Sequence, residues 1–170
     1  MNVAKQEEIA NKKGSNEPLT WDDLAKMKYT WRVATETLRM TPLIFCSFRR
    51  ALQDVEFGGY VIPEAWQVIW ALGTTHMDEN IFPNPSKFDP MRYEQATPPP
   101  FSFVTFGGGP RMCPGYEFSK LETLAPIHYL VTRSRWKFSI ADNSFSRDPM
   151  PVFNQGLPIQ IEEKKKQFDI

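Results

Sequence analysis

The sequence of 170 residues predicts an α+β arrangement: two principal helices, small antiparallel sheets, a long irregular meander and a cysteine-bearing loop. Three observations predict it. Helical patterning runs from Thr20 to about Met40 and again from about Pro114 to Arg133. Short β-branched and aromatic runs lie between them, punctuated by Gly58-Gly59 and Pro63. The stretch from Ile81 to Pro100 then carries six prolines and few apolar runs, and loops of that length are uncommon unless they serve function.

Each element has a local reason. Val3 to Lys13 reads as a short polar helix, closed by the Gly14-Ser15-Asn16-Glu17-Pro18 break, so residues 1–18 form a helix and linker ahead of a unit spanning 19–170. Thr20 is placed as an N-cap, with Asp23 as its reciprocal partner and Leu19 and Leu24 as a hydrophobic staple. Pro42 ends the helix that follows. Leu43 to Arg50, Val55 to Tyr60 and Trp66 to Leu72 read as strands. Pro126 interrupts the second principal helix and is a position for a kink. Strands near Trp136–Ile140 and Leu157–Ile161 complete the chain, and no internal repeat is visible.

Composition excludes several classes. Twenty basic residues balance twenty acidic ones, so no global field favours nucleic acid or an anionic membrane. The run Glu162-Glu163-Lys164-Lys165-Lys166 is short and mixed in sign, as in a solvated terminus. Cys46 and Cys113 lie far apart, unlike a secreted disulfide framework. His76 and His128 are too separated for zinc spacing. No apolar run has signal-peptide or membrane-span length, so the chain as written is expected to be soluble.

The chemistry concentrates in Phe106-Gly107-Gly108-Gly109-Pro110-Arg111-Met112-Cys113-Pro114-Gly115, which joins the irregular segment to the second helix. A lone cysteine is ordinarily a small buried hydrophobe. Here the thiol stands at a helix N-terminus, where the dipole and unpaired N–H groups favour negative charge. Pro114 takes a first-turn position that tolerates its missing N–H, and the glycines let backbone approach a flat ligand closely. A phosphate-binding reading fits less well, because the run lacks the Lys-Ser/Thr ending of a P-loop and the spacing of a dinucleotide fingerprint.

Phe-x-x-Gly-x-Arg-x-Cys-x-Gly resembles the haem-loop signature of the cytochrome P-450 family, with every fixed position filled. The resemblance extends from about Leu19 to Ile161 and implies a C-terminal, haem-binding part of that mainly helical fold. It implies haem b as cofactor, with Cys113 as axial thiolate, which pushes electron density to iron. It also implies Arg111 on a propionate, Phe106 packed beside ring and sulfur, and Gly115 leaving room beneath the porphyrin. Glu36-Thr37-Leu38-Arg39 puts opposite charges on one helical face, which alone suggests an ordinary surface pair. It also matches the family's Glu-x-x-Arg, and Phe88-Asp89-Pro90-Met91-Arg92-Tyr93 matches the meander segment that supplies a third member. The implied Glu36–Arg39–Arg92 clamp is structural. Arg49 aligns with the arginine for the other propionate, with Arg50 as its rival.

Leu19-Thr20-Trp21, Phe103 to Pro114 and Pro149-Met150-Pro151 with Gly156-Leu157-Pro158 are similar in wording to plant enzymes oxidising triterpenoid and sterol-like skeletons. The implied function is insertion of one oxygen atom from O2 into an apolar substrate, with electrons from an NADPH-dependent reductase. Thr41 to Phe48 and the turn from Met150 to Gly156 are implied to line the pocket. Full-length members occupy the endoplasmic reticulum membrane; a chain without the anchor is expected in the cytoplasm. Two departures stand out: Arg39-Met40-Thr41-Pro42-Leu43 for the usual Arg-x-x-Pro-Pro, and Ala65 where the family's Ile-Pro-x-Gly turn has glycine. The chain also lacks the counterpart of the helix that covers the distal haem face. No catalytic residue is therefore assigned within it, and the alternative is a non-catalytic truncated remnant.

Overall fold

In the computed structural model, which describes residues 3–14, 17–141, 144–148 and 150–164, the first principal helix is divided. Thr20 accepts a hydrogen bond from the Asp23 amide at 3.3 Å while the Asp23 carboxylate accepts from the Thr20 amide at 3.0 Å, a reciprocal capping box. The helix it opens, α2 (Trp21–Lys26), ends at Met27, whose ψ of 35° leaves the helical region. Met27 is buried, its N–H closing onto the Leu24 carbonyl, and α3 (Lys28–Met40) restarts directly after it. The continuous helix expected to Met40 is thus two, because anchoring Met27 in the core re-aims the chain.

The expected strand from Val55 to Tyr60 is a hairpin instead. Gly58 and Gly59 have φ of 59° and 82°, so the chain reverses there and β2 (Val55–Phe57) pairs antiparallel with β3 (Tyr60–Ile62). Longer strands β1 (Cys46–Arg50) and β4 (Gln67–Ala71) pair antiparallel, with Arg49 opposite Val68 and Arg50 opposite Gln67. Leu43 to Phe45, expected as strand, remain outside it. At the turn before β4, Ala65 sits at φ 68°, the left-handed region where a Cβ crowds the backbone. The remaining elements are α4 (Leu72–His76), the short α5 (Arg92–Gln95), a 3₁₀ turn at Gly109–Arg111, and α6 (Tyr116–Arg133), which contains Pro126. Strands β5 (Ser134–Phe138) and β8 (Ile159–Glu163) form one antiparallel pair; β6 (Phe145–Arg147) and β7 (Pro151–Phe153) form another, which had not been expected.

The hydrophobic core is built where helices meet: Ile9, Leu24, Met27 and Leu124 are buried, with Leu19, Trp31 and Leu121 against them. Ile9 belongs to α1 (Val3–Asn11), so the polar-looking first helix shares its core with α2, α3 and α6. Gln6 in the same helix is buried too: its amide donates to Thr30 Oγ1 at 2.7 Å and its carbonyl meets His128 Nδ1 at 2.7 Å. An amide carbonyl only accepts, so the His128 proton rests on Nδ1. Burial keeps this imidazole below its ordinary 6.5.

Two outcomes follow for stability. Leu124→Ala, at a fully buried site, is expected to cost about 2–5 kcal/mol in denaturant unfolding. Ala65→Gly is expected to stabilise by less than about 1 kcal/mol, as relief of the left-handed Cβ outweighs the looser unfolded chain; a melting temperature below that of the parent would contradict it.

Candidate functional site

Glu36 and Arg39 lie one turn apart on α3, and neither has any solvent exposure. The Arg39 fork donates from Nε to Glu36 Oε2 and from Nη2 to Oε1, both at 2.9 Å, a bidentate charged pair. Its remaining donors meet backbone: Nη1 reaches the His76 carbonyl and Nη2 the Pro85 carbonyl, each at 2.7 Å. The Phe82 ring lies 5.3 Å from the guanidinium carbon. A surface ion pair would be worth well under about 1 kcal/mol. Here burial makes both charges depend on complete pairing.

The meander supplies the rest. Glu36 Oε1 accepts the Asp89 amide at 3.0 Å and Arg92 Nε at 3.1 Å, and Oε2 accepts the Tyr93 hydroxyl at 3.2 Å. Arg92 also donates to the carbonyls of Pro83 and Lys87, so one side chain gathers a chain segment without regular structure. The structure thereby brings Glu36, Arg39 and Arg92 together. Burial pushes the Glu36 carboxyl up, but the Arg39 guanidinium, the Asp89 N–H and Arg92 outweigh it and hold it below 4.5. Burial and the Glu36 charge push the Tyr93 phenol well above its ordinary value.

His76 belongs to the same assembly, and nothing in the sequence marked it. It is fully buried at the end of α4, with Nδ1 3.1 Å from the Arg39 carbonyl. Its Nε2 accepts the Val104 amide at 3.1 Å. Its ring stacks on Phe103 at 5.5 Å and 16°. Only the fold joins positions 39, 76 and 104, so no local signal could have found it.

The cysteine loop follows immediately. Val104 accepts from Gly107 N–H at 2.8 Å, and Phe106 accepts from Cys113 N–H at 2.8 Å, closing the loop on itself. Gly107 and Gly109 have φ of 77° and 65°, which other residues rarely adopt. A Cβ on Gly108 would fall 2.8 Å from the Phe101 ring. The Phe106 ring meets Tyr116 edge-on at 5.1 Å, and Tyr116 meets Trp31 at 5.9 Å, which seats the loop on α6 and α3. Cys113 is exposed and free, two residues before the Gly115 N-cap of α6. A Cβ on Gly115 would stand 3.6 Å from the Cys113 sulfur, narrowing the space beside it. Arg111 is exposed on the same loop.

Arg49 lies apart from the clamp on β1, exposed, donating to the Phe48 carbonyl at 2.7 Å, its guanidinium carbon 5.8 Å from the Trp70 ring centroid. Alternation along the strand sends Arg49 and Arg50 to opposite faces. A cleft of about 420 Å³ opens between Lys28, Trp31, Phe101, Phe103, Tyr116 and Lys120; Cys113 does not line it. Among the described residues no group of three metal-ligating side chains occurs, and no helix is long and apolar enough to cross a membrane. The cysteine loop thus carries one exposed thiol, one exposed guanidinium and an aromatic ring. That set fits a planar, iron-bearing ligand with carboxylate arms.

Removing one partner of the buried pair is expected to be severe. Glu36→Gln or Arg39→Met should cost about 3–5 kcal/mol in chemical unfolding, whereas exchange of an exposed pair such as Lys5–Glu8 should cost under about 1 kcal/mol. Acid acts at the same place. His76 is held below 6.5 by burial, so stability should begin to fall as pH drops below that value. Glu36, held below 4.5, adds a loss as pH falls through its own lowered value. Thermal melts between neutral and acid pH would show both steps; His128, also held below 6.5 by burial, shares in the first, so His76→Gln should reduce it without removing it.

A family model for Cytochrome P450 matches residues 3–162, so α1 falls inside the match. The chain is 47% identical over 157 residues to a beta-amyrin 28-monooxygenase of Kalopanax septemlobus, covering 92% of this chain and 33% of that protein. The Panax ginseng enzyme of the same name matches to the same extent, and one from Vitis vinifera is 46% identical over 161 residues, covering 95% and 34%. Among solved structures, retinoic-acid-bound cyanobacterial CYP120A1 superposes with a TM-score of 0.78 at 31% identity, over 95% of this chain and 39% of that one. The chain spans about a third of the length of the curated relatives it matches. Its fold, its cysteine-loop sequence and its relatives agree: the chain belongs to the cytochrome P450 family, beside plant triterpenoid oxidases.

Proposed function

We propose that this chain is the haem-holding part of a haem-thiolate monooxygenase acting on an apolar, triterpenoid-like substrate, with Cys113 as the ligand to iron. The observation that carries the reading is the exposed Cys113 thiol, held by its own N–H bond to Phe106 ahead of α6, in a family member with every signature position filled. Cys113 lies two residues ahead of Gly115, the N-cap of the 18-residue α6. Arg111 would meet one propionate of haem b. Arg49, which aligns with the family's arginine, would meet the other; Arg49 and Arg50 face opposite sides of β1, so only one of them can. Phe106, fixed by Tyr116, would shield the sulfur from water, and Gly115 would leave the porphyrin room.

When bound, the haem supplies oxygen activation and transfer of one oxygen atom to a substrate carbon. The chain's own contributions are proximal: a thiolate, two propionate partners and a clamp holding the meander beneath the loop. The exposed Leu43, Ile44 and Phe45, and Val152 and Phe153 on β7, would present apolar walls to the substrate. Electrons would come from an NADPH-dependent reductase. The substrate class rests on the names of the relatives at 46–47% identity.

Haem titration of the purified chain tests this. A thiolate-type carbon monoxide spectrum at one haem per chain is expected, and it should vanish in Cys113→Ser. An unchanged spectrum in that variant would remove Cys113 from the iron. Arg49→Leu should weaken haem binding by roughly tenfold to a hundredfold, the worth of a hydrogen bond to a charged group, while Arg50→Leu leaves it unchanged. The substrate reading is tested by exchanging this chain for the matching third of the Kalopanax enzyme and assaying beta-amyrin oxidation.

A further inference from the structure

We infer that His76 positions the cysteine loop, joining the buried clamp to the segment that enters the loop, and that it does so only as the neutral Nδ1–H tautomer. The geometry fixes the proton. The Val104 N–H can only donate, so Nε2 at 3.1 Å must present a lone pair. The Arg39 carbonyl can only accept, so Nδ1 at 3.1 Å must carry the hydrogen. Val104 is buried, and its N–H without this acceptor would be an unsatisfied donor.

The connection runs on to the sulfur. The carbonyl of Val104 accepts the Gly107 N–H that turns the loop, and two residues later Phe106 accepts the Cys113 N–H. His76 is tied from its other side as well, since its own carbonyl receives Arg39 Nη1 at 2.7 Å. Its ring is wedged between Phe103, stacked at 5.5 Å, and Phe82, edge-on at 6.2 Å. The second tie from the loop entry to α3, from Thr105 Oγ1 to the Leu38 carbonyl, is a longer 3.4 Å. The inference deepens the reading of Cys113, in that the loop positioned is the one assigned to haem, but its test needs no haem.

The test compares His76→Gln, His76→Asn and His76→Phe in the full chain. It is repeated where the chain replaces the matching third of the Panax ginseng enzyme, so that the isolated chain's behaviour does not decide it. Glutamine can place a carbonyl where Nε2 accepts from Val104; asparagine reaches only the Nδ1 position, and phenylalanine offers neither group. The readout is amide hydrogen exchange at Val104 and Cys113, whose N–H groups are the ones bonded to His76 and Phe106. Exchange at both should rise about tenfold or more in the asparagine and phenylalanine variants, the scale of one lost buried acceptor, and stay near the parent's in the glutamine variant. Exchange at Leu124 should not change. Three results would overturn the inference: an asparagine variant that behaves like the parent, a glutamine variant as loose as phenylalanine, or Leu124 exchange rising in step with Val104. Nitrogen NMR placing the proton on Nε2 would do the same. If these outcomes hold and the haem titration fails, the assignment of Cys113 falls alone; the reverse pattern removes His76 alone.

Discussion

Two full charges buried side by side on one turn of a helix constrain everything around them. Glu36 and Arg39 have left water entirely, and desolvating such ions costs several kcal/mol each unless every lone pair and N–H finds a partner. Their mutual fork satisfies only part of that demand. The rest must come from outside α3, and it comes from the stretch least able to organise itself. The carbonyls of His76 and Pro85 take the free guanidinium donors, while the Asp89 amide, Arg92 and Tyr93 fill the carboxylate. An irregular segment thereby gains fixed partners for groups that strands or helices would otherwise satisfy internally.

From that anchor the order passes outward in one direction. The meander is fastened to α3, His76 is fastened to Arg39, and the loop entry at Val104 is fastened to His76. Aromatic rings fill the gaps between these bonds: Phe82 beneath the guanidinium, Phe103 against the imidazole, and Tyr116 between Phe106 and Trp31. At the end of this series stands a thiol that is exposed although most of what holds its loop is not. A site that presents one reactive atom outward needs this kind of support, because a loop positioned only by itself drifts.

The helical side of the molecule solves a different problem. Leu124, Met27, Leu24 and Ile9 form an ordinary apolar core, but α1 also enters it with Gln6, which bridges Thr30 and His128. A polar residue at that depth is tolerable because both ends of its amide are paired. On the other side, Leu43, Ile44, Phe45 and Phe48 remain at least half exposed beside the strand that carries Arg49. Contiguous apolar exposure of that kind marks a surface meant to meet something. Under the proposed function, a substrate and its surrounding walls would meet that surface.

Much of the site could be read from one dimension because its chemistry is written in short spans. The cysteine loop is ten consecutive residues whose glycines, proline and thiol each have a local rationale, and the capping box at Thr20 and Asp23 needs only three-residue spacing. The strain at Ala65 was equally local, one Cβ in a turn that favours none. What sequence alone determined was therefore the family, the loop, the helix that follows it and the residues that meet at the clamp. Tertiary structure decided which groups become buried, and burial changes what they mean. It turned a plain helical ion pair into a fully desolvated one, drew a polar first helix into the core, and broke the long helix at Met27. It also made His76, a lone histidine in the sequence, the link between clamp and loop. Those outcomes depend on contacts between residues 24 to 122 positions apart, and periodicity carries no information over such distances.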